Sequence, residues 1–276
     1  MTVSPLPAQR PLNLRLLALV AGLILFGVIA ITPYSLTLQS EALKTTPLPL
    51  PLAVLLPIQW TQTTIIYSAL AAIGLYLAPR VGLGLPVIES WLRGKPEWER
   101  VRRFALPAAG AGIVAALLIV VLDLFVFGPP LEAELKRLSI TIPASVLPPA
   151  WQGFLASFYG GITEEVLLRL FMLTLLAWLG SRVWRTAEGR PTLAVLWAAN
   201  ILAAILFGLG HLPATAAIGL PLDALVITRS VVLNGLAGVI FGWFYWTFGL
   251  EAAMLAHFSA DIVLHVLFPL VGPYLN

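Results

Sequence analysis

Apolar runs of roughly twenty residues recur along this chain, each long enough to cross the hydrocarbon core of a bilayer as a helix. In lipid every backbone N–H and C=O needs a partner within the protein, so such runs fold as helices. They lie at about Leu12 to Ile31, Ile58 to Leu77, Phe104 to Phe127, Trp151 to Trp178, Leu193 to Leu212, Val231 to Phe248 and Leu250 to Val271. The expected fold is therefore all-α, a polytopic helical membrane protein with about seven transmembrane helices, or eight. The first run also fits a cleaved signal peptide, with Val28 and Ala30 at a small-residue cleavage site, but the many later runs favour a retained anchor.

Composition agrees. The chain is 59% hydrophobic and 11% charged with a mean hydropathy of +0.95, whereas about a quarter of the residues of a soluble domain are charged. No cysteine is present, which removes thiolate nucleophiles, disulfides and cysteine-based metal sites. No internal repeat, soluble domain or low-complexity segment interrupts the pattern, so residues 1–276 read as one integral membrane domain. The basic residues cluster in loops and report topology, with no sign of nucleic-acid recognition. A cytoplasmic N-terminus collects Arg10, Arg15, the basic residues between Arg80 and Arg103, and Arg182, Arg185 and Arg190 on one side. Only Lys44, Lys136, Arg137 and Arg229 fall to the other.

Trp151 to Trp178 is the costly span, because Glu164, Glu165 and Arg169 lie in its middle. Each ionised side chain at the centre of a spanning helix costs roughly 2.5 to 3.5 kcal/mol on insertion scales. Glu165 and Arg169 stand four residues apart, acid before base, as a structural helical pair would. Glu164 points about 100° away round the helix, so its partner must come from another span or from water. Two later spans carry candidates. Phe207 and His211 are one turn apart, with Asn200 and Ala204 continuing their stripe backwards. His257, Asp261 and His265 form a polar line down the last span. Such a line should face the bundle interior or a wet cavity. Asp123, Asn200, Asn234 and His265 read as interhelical hydrogen-bonding groups, and the tryptophans and tyrosines as interface anchors.

Convergence of Glu164, His211, His257 and Asp261 on one pocket would provide a general base for activating water and an imidazole for an oxyanion. Two adjacent carboxylates sharing one arginine are not both ionised cheaply, which leaves one free to take a proton. No serine is convincingly placed with a base, although Ser259 lies on the last span. Zinc is the chemical competitor: Glu164, His211 and His257 would supply three ligands and leave a fourth position for water, although no His-Glu-x-x-His pair is present. Spacing alone leaves both chemistries open.

The order Glu164-Glu165-x-x-x-Arg169, Phe207-x-x-x-His211, His257-x-x-x-Asp261 on late spans resembles the CPBP (Abi) family, which includes the type II CAAX prenyl endopeptidases. The resemblance covers 151–270. It implies an intramembrane endopeptidase in which Glu164 and His211 activate water while His257 and the residue at 261 stabilise the oxyanion. It also implies a membrane-associated peptide or protein substrate, lipid-modified in the prenyl proteases. This chain has Asp261 where the eukaryotic prenyl proteases typically have Asn. An ionised Asp would repel an oxyanion, so Asp261 is protonated, orients His257 or binds a metal. A non-catalytic membrane scaffold or immunity protein and a proton-coupled transporter are the competing functions. One expectation conflicts with convergence: if spans five and seven both start at the cytoplasmic surface, His211 lies about 27 Å across the membrane and His257 only about 10 Å.

Overall fold

The computed structural model describes residues 11–143 and 146–271, so the N-terminal tail with Arg10 lies outside the described residues. Seven long helical rods and one short helix carry the fold. They are α1 (Leu14–Leu38), α2 (Leu52–Val81), the short α3 (Pro86–Leu92), α4 (Trp98–Arg137), α5 (150–180), α6 (Leu193–Ala217), α7 (Ala224–Phe248) and α8 (Leu250–Val271). Six of the rods are long and apolar enough to cross a membrane. The seventh, α5, is the rod that carries Glu164, Glu165 and Arg169. This is an all-α, multi-pass integral membrane protein.

Local chemistry sets the rod ends. The Asn13 side chain accepts from the backbone N–H groups of Arg15 and Leu16 at the start of α1, and Asp223 caps α7 through Val226 N–H at 2.8 Å. Gly82, in the left-handed region at φ 75°, closes α2. The mixed-charge stretch from Glu132 to Arg137 continues α4. A π-helical turn, Asp123–Phe127, precedes it, so Pro129 and Pro130, which have no N–H to donate, follow a place where the regular ladder has already changed register. The sixth span also starts earlier than expected, at Ala224, which puts Arg229 inside a helix instead of a loop.

Close approach of the rods depends on small residues. A Cβ on Gly112 of α4 would overlap the carbonyl of Ala256 on α8, one on Gly153 of α5 the carbonyl of His265, and one on Gly208 of α6 the backbone of Val231 on α7. Between membrane helices there is little hydrophobic drive, so backbone proximity of this kind supplies the packing energy. The first half of α8 is tightly enclosed: Leu250, Ala252, Ala253 and Ala256 have no exposed surface.

That enclosure bears on the depth conflict. The start of α8 does not sit at the surface. Leu250 N–H donates to Gly84 O at 3.0 Å, and the Glu251 carboxylate accepts from Ile88 N–H at 2.8 Å, so α3 and the turn before it cover the end of the helix. The segment from Leu85 to Trp91 is thus a plug on its Leu85 and Val87 side, with Trp91 left exposed. His257 thereby stands level with Phe207 in the second half of α6, whose ring it meets.

Gly112→Val should separate α4 from α8 and destabilise the protein by about 1–3 kcal/mol, the usual range for overpacking. Thermal unfolding in detergent would show a lowered midpoint; an unchanged midpoint would contradict the packing described.

Candidate active site

Most of α5 between Tyr159 and Leu173 is wound as π-helix, in two segments, Tyr159–Glu164 and Val166–Leu173, with Glu165 between them. Wider i→i+5 turns cost regular helical bonding and recur at functional sites. Here they change the register in which the two carboxylates and Arg169 face their neighbours. Thr174 repairs part of the ladder, its hydroxyl donating to Arg169 O at 3.0 Å while also bonding the Tyr245 hydroxyl at 2.7 Å.

Glu165 and Arg169 are completely enclosed. Arg169 Nη1 lies 3.1 Å from Glu165 Oε1, Nη2 donates to Gly238 O of α7 at 2.9 Å, and the guanidinium faces the rings of Phe207 and Phe241. The pair expected from the i,i+4 spacing is present, but Glu165 has a second partner. Its Oε1 is also 2.8 Å from His257 Nδ1, across from α5 to α8. A carboxylate that accepts from Nδ1–H fixes the imidazole and leaves Nε2 as the nitrogen facing the site. Phe241 stacks on the same ring at 4.7 Å, and Phe207 meets it edge-on at 5.6 Å.

His257 Nε2 then looks toward two carboxylates, Glu164 Oε2 at 3.7 Å and Asp261 Oδ1 at 3.6 Å. Glu164 is the more open carboxylate of the α5 pair, with its side chain 21% exposed against none for Glu165. Asp261 stands between two histidines, since His265 Nε2 is 3.9 Å away and His265 Nδ1 bonds the Tyr34 hydroxyl at 3.2 Å. Gly160 makes the approach of α5 to α8 possible here, because a Cβ at that position would overlap Asp261 Oδ2 and lie 3.1 Å from His257 Nε2.

His211 occupies the bend at the end of the straight part of α6. Its Nδ1 is 2.9 Å from Phe207 O, and a carbonyl only accepts, so Nδ1 carries the proton and Nε2 is left as a basic nitrogen. Its ring packs edge-on against Phe207 at 4.8 Å, and Phe207 in turn touches His257.

These groups line one cavity of about 910 Å³, which includes Glu164, His211, His257 and Asp261 in its wall. Most of its lining comes from the second halves of α1, α4, α6 and α8 and the first halves of α2, α5 and α7, with Ala237 and Phe241 of α7 and His257 and Ala260 of α8 near the middle of their helices, so it lies toward the end of the bundle away from the basic loops. The three-ligand zinc set of Glu164, His211 and His257 is not gathered: among the described residues no group of three His, Asp or Glu side chains is arranged to hold a metal ion. His257 Nδ1 is committed to Glu165, and the 3.6 and 3.7 Å separations at Nε2 are those of ion pairs around a nitrogen.

Residues 146–263 match the family model described as type II CAAX prenyl endopeptidase Rce1-like. Over this segment, which is less than half of the chain, the sequence is similar to that family. No curated protein and no solved structure matches the chain significantly. The Rce1-like segment spans Glu164, Glu165, Arg169, Phe207, His211, His257 and Asp261, and ends just before His265. Tyr34 and the cavity wall made by α1 and α2 come from outside it. Sequence spacing missed Tyr34, Phe241 and Arg229. The first two are an apolar-span tyrosine and phenylalanine with no pattern to single them out, whereas Arg229, an intramembrane charge, was hidden by a helix start assigned too late.

Gly160→Ala should displace Asp261 or His257 by a fraction of an ångström to an ångström, and misplacement of that size costs up to about 100-fold in rate. Peptide cleavage assays on the folded variant would show the loss in kcat; wild-type turnover would mean that the α5–α8 contact does not position the site.

Proposed function

We propose that this protein is an intramembrane endopeptidase of the CAAX-protease-like type that hydrolyses a peptide bond with water activated by Glu164 and His211. The similarity of residues 146–263 to the Rce1-like family supports endopeptidase character, and the site geometry supports the residue roles. The observation that carries it is the 2.8 Å contact of His257 Nδ1 with Glu165, which turns His257 Nε2 toward Glu164 and Asp261 at the cavity wall.

In this scheme a water in the cavity gives its proton to the Glu164 carboxylate, with the basic Nε2 of His211 as orienting acceptor. The oxygen attacks the substrate carbonyl, and the oxyanion forms beside Nε2–H of a His257 ring protonated on both nitrogens, whose Nδ1–H Glu165 holds from the far side. Asp261 acts on His257 and His265 and keeps them oriented, which avoids setting an ionised carboxylate against the oxyanion. Glu164 then returns the proton to the leaving amine. Arg169 balances Glu165 without touching the reacting atoms. The substrate is a membrane-associated peptide or protein; the family description names CAAX prenyl substrates.

Glu164→Ala, His211→Ala and His257→Ala should each lower cleavage of a membrane-anchored peptide by 100-fold or more, on the scale of roughly 10²–10⁴ for general acid–base groups, with the folded protein retained. Activity should survive a chelator. Full activity in purified Glu164→Ala protein sinks the assignment, and loss on chelation restored by zinc replaces it with a metalloprotease.

The charge distribution further supports a cytoplasmic N-terminus, an orientation in which the cavity lies in the opposite half of the membrane. With no native cysteine, single substitutions report this directly. In intact cells an impermeant maleimide should label Lys44→Cys and spare Lys95→Cys. The reverse pattern inverts the protein and opens the cavity toward the cytoplasm.

A further inference from the structure

The cavity wall carries the carboxylates Asp123, Glu164 and Asp261, but among the described residues that line it Arg229 is the only lysine or arginine. Arg229 Nε and Nη2 each donate to an oxygen of Asp123 at 2.6 Å, joining α7 to the π-helical turn of α4. This pair differs from Glu165–Arg169. There the guanidinium is walled in by two phenylalanines and a backbone carbonyl, whereas the Arg229 and Asp123 side chains are 25% and 34% exposed and both face the cavity. A guanidinium has five N–H donors, and Asp123 takes two of them in a fork that fixes its plane.

Its level in the bundle is set by α6. Ser230 Oγ donates to Gly208 O at 2.8 Å, so Arg229 stands near the height of Gly208 to His211, just beyond Phe207. Phe207 touches His257. One to two helical turns, about 5–10 Å, therefore separate the guanidinium from the level of His257, the length of roughly two or three residues of extended peptide.

We propose that Arg229, held by Asp123, anchors the C-terminal α-carboxylate of a peptide lying in the cavity. The inference rests on the protease reading. A CAAX motif is C-terminal, and its free carboxylate enters a cavity in which, among the described lining residues, Arg229 is the one arginine or lysine. Such an anion is retained only where a cation receives it. Asp123 then has a defined role as the positioning residue for the guanidinium.

The test pairs two fluorescein-labelled peptides of one sequence, one ending in a carboxylate and the other in a carboxamide. Anisotropy in detergent with the Glu164→Gln protein measures binding without turnover, and wild-type cleavage gives KM and kcat. The carboxamide should bind about tenfold or more weakly and raise KM by a similar factor with kcat little changed, as expected for loss of a charge-assisted hydrogen bond. Arg229→Gln should abolish the discrimination, and Arg229→Lys should keep part of it. Equal binding of the two peptides to protein with Arg229 intact overturns the proposal without recourse to any Arg229 variant. Failure of both peptides to bind, or discrimination that survives Arg229→Gln, also overturns it. Discrimination without cleavage of either peptide would keep the anchor and defeat the protease reading.

Discussion

A carboxylate, a guanidinium and an imidazole touch one another inside the membrane, and the rest of the structure depends on that contact. Glu165 is the shared member, within 3.1 Å of Arg169 and 2.8 Å of His257. Removing one partner of a buried ion pair typically costs about 3–5 kcal/mol, because the other charge is left stranded. The cluster therefore constrains three helices together: α5 supplies Glu165 and Arg169, α8 supplies His257, and α7 supplies the Gly238 carbonyl that receives Arg169. Once these are fixed, His257 Nε2 has one direction left in which to face, and that direction is the cavity.

The architecture around the cluster serves proximity. Gly160 and Gly153 let α5 come within backbone reach of α8, and Gly112 lets α4 press on α8 from its other side. π-helical turns occur in α4, α5 and α8, and each includes or adjoins ionisable residues: Asp123 in the first, the Glu164–Arg169 group in the second, Asp261 and His265 in the third. Wide turns aim side chains that a regular helix would carry past one another. The polar end of the bundle is thereby built from segments where the helical ladder is irregular, and the opposite end from regular, tightly packed rods.

Much of this was legible in the sequence. Apolar runs of bilayer length located the rods because lipid permits few other backbone solutions, and the unpaired intramembrane charges singled out Glu164, His211, His257 and Asp261 as candidates for one pocket. What spacing could not show was register in depth. Counting from Leu250 as a surface residue put His257 too shallow, because the tuck of α3 over the start of α8 depends on a Gly84 carbonyl and a Glu251 carboxylate far apart in sequence. Glu165 looked like half of an intrahelical pair, since i,i+4 spacing reports only the partner on its own helix. The same limit concealed the link from His265 to Tyr34, two hundred residues and more away along the chain, and the fork between Arg229 and Asp123.

The central claim is that water itself attacks the peptide bond, activated by Glu164 and His211. A single-turnover cleavage in heavy-oxygen water containing hydroxylamine tests it most directly, with both the product and the Glu164 peptide examined by mass spectrometry. Direct attack by water predicts heavy oxygen in the new carboxylate of the product, none in Glu164 and no hydroxamate. A hydroxamate-bearing product, or label in the Glu164 side chain, would reveal a covalent acyl intermediate and contradict the account.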